Sequence, residues 1–168
     1  MLSISLILTG IALALNGVVS LCHWDRRGLA TTNILIGIYL VGTSIYSIYA
    51  DVDTVTVFVN FGMLLFGFTL LFMASDIIWA SDKRTFGWFC IMLAVCAITL
   101  AVYFLLSDIV FWGILWALWS LIWIFLFAGF GVNAKFRRSS FYCLIFQGVV
   151  TLMAIGFLEL FDIINIAG

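Results

Sequence analysis

The sequence predicts an all-α integral membrane protein with six transmembrane helices, and three observations carry that prediction. The first is composition: of 168 residues, 66% are hydrophobic and 9% charged, with a mean hydropathy of +1.31. Soluble domains do not reach this balance. The second is run length. The apolar stretches are about 20 residues long, enough to cross hydrocarbon as helices, and they lack the short alternation of barrel strands. The third is charge placement. All seven basic residues fall in three alternate loops, at Arg26 and Arg27, at Lys83 and Arg84, and at Lys135, Arg137 and Arg138. The loops around Asp51–Asp53 and Ser107–Asp108, and the tail with Asp162, hold none. The positive-inside rule then places the basic loops in the cytosol and both termini outside.

The first run, Leu2–Leu21, meets its first positive charges only after the apolar stretch. That order is the reverse of a signal peptide, so it reads as a helix entering from outside. Leu2, Leu6, Thr9, Leu13 and Asn16 lie on one stripe of it. Asn16 is an amide inside the membrane, where an unpaired polar group is costly, and Gln147 of the sixth run is the expected counterpart. Such a pair serves either as glue between helices or as polar contact for a neutral solute. The second run is Ala30–Tyr49. In the third, Val55–Trp79, Phe61, Leu65, Phe68 and Phe72 follow helical spacing, and Gly62 and Gly67 allow close approach of a neighbour. Asp76 sits near its cytosolic end. The fourth run is Phe86–Leu106.

The fifth run, Ile109–Phe130, holds Trp112, Trp116, Trp119 and Trp123. Their spacing puts all four indoles on one narrow stripe. The first and last are about 16 Å apart along the axis, too far for a headgroup-level aromatic belt. The stripe is therefore either packed against neighbouring helices or a lining of flat rings, each with an N–H at its edge. The third-run aromatics would face it across a slot suited to a small planar solute. The sixth run, Phe141–Ile164, carries Gln147 and, near its outer end, Glu159. The whole of residues 1–168 is one transmembrane domain.

Proline is absent, which favours straight spans. Each basic loop follows an odd-numbered run, as three helical hairpins with cytosolic turns would require. Any six-span chain obeying the charge rule shows the same pattern. A net charge of −1 offers no basic surface for nucleic acid. Cys22, Cys90, Cys96 and Cys143 form no CxxC pair, and His23 is the single histidine; neither a metal site nor any cofactor is expected. No Ser-His-Asp set or central carboxylate pair appears, so enzyme is the least supported class.

Several residues also resemble a known family: LLFGFT from Leu64 to Thr69, the WxxxWxxWxxxW run, Asn16-Gly17, Arg84 followed by Phe86 and Trp88, and Gly148 with Thr151. Across nearly the whole chain these resemble the AmiS/UreI family of bacterial urea and short-chain amide channels. The resemblance implies a six-span protomer, three hairpins around its own pore, a ring-shaped homohexamer in the bacterial cell membrane, and passive delivery of urea or amides to a cytosolic urease or amidase. By position, Trp119, Trp123, Phe68, Phe72 and Ile122 match a cytosolic constriction. Leu2, Leu6, Leu13 and Trp116 match an outer one, and Asn16 and Gln147 match polar lining positions. The best-known form of the family has tyrosines at the positions of Leu70 and Phe72 and a glutamate at that of Gln147. An acid-gated member has long, histidine-rich outer loops; here those loops are short and hold no histidine, so no acid gate is expected.

Three functions follow in order of support. The first is a passive channel for urea or small amides through an aromatic-lined pore, with Trp112 among its lining residues. The second is a proton-coupled amide transporter using Glu159 or Asp76, and the third a membrane scaffold whose aromatic stripes only pack.

Overall fold

In hydrocarbon every backbone N–H and C=O must be bonded within the chain, so long apolar runs without proline close into helices. The computed structural model, which describes residues 1–50 and 53–164, has six of them. They are α1 (Leu2–Leu21), α2 (Arg27–Ala50), α3 (Thr54–Trp79), α4 (Lys83–Leu106), α5 (Val110–Val132) and α6 (Ala134–Leu160). Short polar caps start three of them. The Asp53 carboxylate accepts the N–H groups of Val55 and Thr56, Asp82 accepts that of Arg84, and the Asn133 side chain accepts that of Lys135. The expected turn at Asp51 lies outside the described residues.

The helices at the basic end begin earlier than hydropathy places them. α2 starts at Arg27 and not Ala30, α4 at Lys83 and not Phe86, α6 at Ala134 and not Phe141. Lys and Arg interrupt an apolar run but are good helix formers. The charged residues therefore occupy first turns, and loops shrink to a few residues. At its other end α6 stops at Leu160, four residues before the expected Ile164.

Two spans are not regular α-helix, contrary to the expectation from absent proline. The last turn of α5, Phe127–Val132, and the middle of α6, Gln147–Met153, widen into π-helix. Glycine enters both, at Gly129, Gly131 and Gly148. A π turn leaves carbonyls off the α register, and Arg137 Nε donates to one of them, Gly129 O, at 3.1 Å.

The six helices form a ring in chain order, α6 closing against α1. Contact is most extensive within three pairs: α2 with α3, α4 with α5, and α1 with α6. Glycine lies in each of these seams. A Cβ on Gly10 would meet the carbonyl of Gly148, one on Gly37 the carbonyl of Gly67, and one on Gly87 the backbone of Gly131. Small residues let backbones approach where no hydrophobic driving force separates helix from lipid. The tight pairs thus run between the three hairpins with basic turns expected from the sequence, and not within them. Two of them are joined at the acidic end, and the third unites the two ends of the chain.

Candidate functional site

Which side chains face the centre of the ring follows from contacts between helices that are not neighbours in it. α3 and α5 are separated by α4, yet the Phe66 ring lies 4.7 Å from that of Trp123, 5.7 Å from Trp119 and 6.3 Å from Trp116. These contacts cross the interior. Leu6 and Leu13 of α1, Phe66 and Leu70 of α3 and Trp116, Trp119 and Trp123 of α5 all have 0% exposure, and Ile122 has 1%. The indoles themselves interlock edge to face, Trp116 on Trp119 at 4.9 Å and Trp112 on Trp119 at 6.2 Å.

The centre is wired by a few polar groups. Trp123 Nε1 donates to Thr69 Oγ1 at 2.8 Å, and Trp119 Nε1 to Thr151 Oγ1 at 3.0 Å. Each threonine gives its own proton to a carbonyl one turn back in its helix, Leu65 O or Gln147 O. Gln147 Nε2 donates to Leu118 O at 3.0 Å, and its Oε1 lies 2.9 Å from the Thr151 hydroxyl. Asn16 is paired too, but not with Gln147. It exchanges two hydrogen bonds with Asn33 of α2, at 2.7 and 3.0 Å, and donates to Ala12 O. Trp116 Nε1 has no partner. Its benzo edge rests on Gly62, where a Cβ would collide with Cζ2 and Cη2.

A cavity opens at each end of this core. The one at the basic end, about 420 Å³, reaches Asn16 and Ser20 and is rimmed by Asp25, Arg26, Arg27, Asp76 and Lys83. The one at the acidic end, about 250 Å³, is lined by Met1, Leu2, Tyr46, Thr56, Asn60 and Trp112. Along α1 the interval from Leu2 to Asn16 is about 21 Å at 1.5 Å per residue. The fully buried leucines and rings fill that interval and close it to water in this state. No ionisable side chain is among them. Asp76 accepts a hydrogen bond from Ser81 at the basic rim, and Glu159 at the other end reaches Ser3.

Of the residues picked from the sequence, Trp112, Trp116, Trp119, Trp123, Ile122, Leu6 and Leu13 are gathered in the core, Leu2 and Asn16 at its two ends, and Gln147 beside it at 3% exposure. Phe68 is not there. It is 42% exposed on the outside of the bundle, as Phe61 is at 38%. The inward face of α3 carries Gly62, Phe66 and Thr69, and Phe66 is about 200° around the helix from Phe68. Phe72 stacks on Phe89 at 5.0 Å and touches Phe86 at 5.6 Å, toward α4 and not the indoles. In a membrane helix both faces are apolar, so aromatic spacing does not tell inside from outside. The better signals were the rare polar residues, since a Thr or Asn within an apolar run needs a partner. They point to Asn33, Thr69 and Thr151. Among the described residues, no group of three His, Cys, Asp or Glu side chains is placed to hold a metal.

The model of the family described as AmiS/UreI family transporter matches residues 1–163. A putative amidate substrates transporter protein of Mycolicibacterium smegmatis is 28% identical over 160 residues, 92% of this chain and 74% of that protein. The acid-activated urea channel of Helicobacter pylori is 23% identical over 181 aligned positions, 90% of this chain and 93% of that one. The crystal structure of the Helicobacter pylori urea channel superposes with a TM-score of 0.86 at 22% identity, covering 98% of this chain and all of that one, and so shares the fold.

Proposed function

The chain belongs to the AmiS/UreI family of transporters, and on that premise we propose that it is a passive channel for urea and small amides. It is a multi-pass membrane protein and not an enzyme. The observation that carries the proposal is the core between the two cavities: aromatic, leucine-sealed and free of ionisable groups. An ion entering it would lose hydration with nothing to offset the loss, so ions are rejected. A neutral planar solute loses less and slides between ring faces that present themselves edge-on and face-on. At the outer end it meets Leu2 and Trp112 and the polar groups of Tyr46, Thr56 and Asn60; at the inner end it meets Asn16. Binding stays weak at every point, which lets the solute leave.

The basic rim sets the orientation, cytosol on the side of Arg26, Lys83 and Arg137 and both termini outside. The location is the bacterial inner membrane. Family membership supports a ring of six protomers and a cytosolic urease or amidase that consumes what enters. His23, the single histidine, follows α1 at the basic end, so outer acid has no histidine to protonate and the channel is not acid-gated.

A proton-coupled transporter is the second reading. It draws on Asp76, 8% exposed at the rim of the charged cavity. Trp123→Ala separates the channel from a scaffold. In proteoliposomes of equal protein content, the channel reading expects this substitution to change urea and acetamide permeability and the ratio between them. Unchanged permeability to both solutes would remove the aromatic core from the pathway.

A further inference from the structure

Three indoles are fully buried at the centre of the ring, and each brings one N–H donor into a region without water. Two of those donors are spent. Trp123 gives its proton to Thr69 and Trp119 gives its proton to Thr151, and both threonines are in turn anchored to backbone carbonyls of their own helices. These bonds hold both rings in place and leave them no donor to offer a passing molecule. Trp116 differs in both respects. Its Nε1 has no acceptor, and no hydrogen bond ties the ring down. What locates it is contact alone, its benzo edge on the bare backbone of Gly62 and its ring 4.9 Å from that of Trp119 at an interplanar angle of 88°.

An orphaned donor at this depth is costly, and a chain that can reach threonines with the other two indoles has placed this one beside no acceptor. Its position explains the arrangement. Trp112 lines the acidic-end cavity, and Trp116 is one helical turn further in, ahead of the two tethered rings. A solute that leaves that cavity inward reaches the ring of Trp116, with its unpaired donor, before those of Trp119 and Trp123.

We propose that Trp116 Nε1–H is the donor that recognises the carbonyl oxygen of the permeating solute, while Trp119 and Trp123 act as fixed walls. The inference rests on the channel reading above and adds the chemical criterion that the core selects. The solute must be neutral, flat enough to pass interlocked rings, and must carry an acceptor strong enough to replace the water it has shed. Ureas and primary amides satisfy all three. A thiocarbonyl compound keeps the shape and the amino groups but is a weaker acceptor, so it isolates the third condition.

The test compares urea with thiourea, and acetamide with thioacetamide, in proteoliposomes, each corrected for protein-free vesicles. Three proteins are used: the wild type, Trp116→Phe, and Trp116→β-(3-benzothienyl)alanine, which keeps the size of the ring and removes only the donor. The expected result is a fall in urea and acetamide permeability of about five-fold, roughly what one neutral hydrogen bond is worth. Thiourea and thioacetamide should change by less than about two-fold, so that the oxygen-to-sulfur preference of the wild type shrinks in both variants. The benzothienyl variant guards against a folding defect in the smaller phenylalanine. Equal effects on oxygen and sulfur solutes, or none on either, with wild-type flux intact, would overturn the assignment of Trp116 alone. If wild-type vesicles conduct no more than empty ones, the channel reading itself fails and takes this inference with it.

Discussion

Thr69 and Thr151 fix the orientation of two indoles, and that role follows from what a threonine hydroxyl can do inside a helix. Bonded back to a carbonyl one turn earlier, it has lone pairs left to accept from across the ring. Thr69→Val keeps the shape and strands the N–H of Trp123 in a dry interior. It is expected to cost about 1–3 kcal/mol, read as a lowered unfolding temperature in detergent, whereas Thr69→Ser should recover most of it. No loss in the valine variant would contradict the bond. Gly62→Ala pushes a methyl into the Trp116 ring; overpacking of this kind costs about 1–3 kcal/mol and should reduce urea flux per folded protein. Phe68→Ala should leave that flux within about two-fold, because the side chain is on the outside of the bundle. The sequence made the tryptophan stripe legible, since four indoles at helical spacing carry their own register. The partner face on α3 was not legible from its phenylalanines. Gly62, Phe66 and Thr69 define that face, and only the glycine and the threonine stand out from their apolar surroundings.

Helices and most of their boundaries were legible to within a few residues because length and hydropathy are set by the membrane itself, the start of α6 at Ala134 and not Phe141 excepted. Pairing was not. Connection length favours neither basic nor acidic turns, and the deciding features are glycines that touch only once the ring is assembled. Gly10 and Gly148 illustrate this: a Cβ on either meets the backbone of the other helix. Gly148→Val should therefore split α1 from α6 and yield little monodisperse protein by size exclusion, while Gly42→Val, at a glycine with open space around it, should behave as wild type. Similar yields from both would argue against the seam. Asn16 shows the same limit. Its need for a partner was evident, but α2 supplies that partner through Asn33, and Gln147 is engaged with Thr151 and the carbonyl of Leu118. The two π-helical turns have no proline to announce them; glycines within apolar runs are common in membrane helices and mark them only in hindsight.

At the scale of the molecule, the channel reading has the charge pattern set orientation and the core set selectivity. Cys22, exposed at the basic end of α1, tests the first. A membrane-impermeant maleimide should label it in inside-out vesicles and not in intact cells, and the reverse pattern would invert the topology. The second depends on a closed, uncharged interval between two cavities, with Asp76 and Glu159 outside it. A pathway built this way has no group to carry a proton through the centre in step with solute. The most direct measurement is stopped-flow swelling of proteoliposomes under urea, acetamide and glycerol gradients at two pH values, with and without a protonophore. The account predicts urea and acetamide fluxes that follow the solute gradient alone, exceed that of glycerol, and are unchanged by acidification or protonophore. Uptake that runs against the gradient, or collapses when the proton gradient is dissipated, would contradict it.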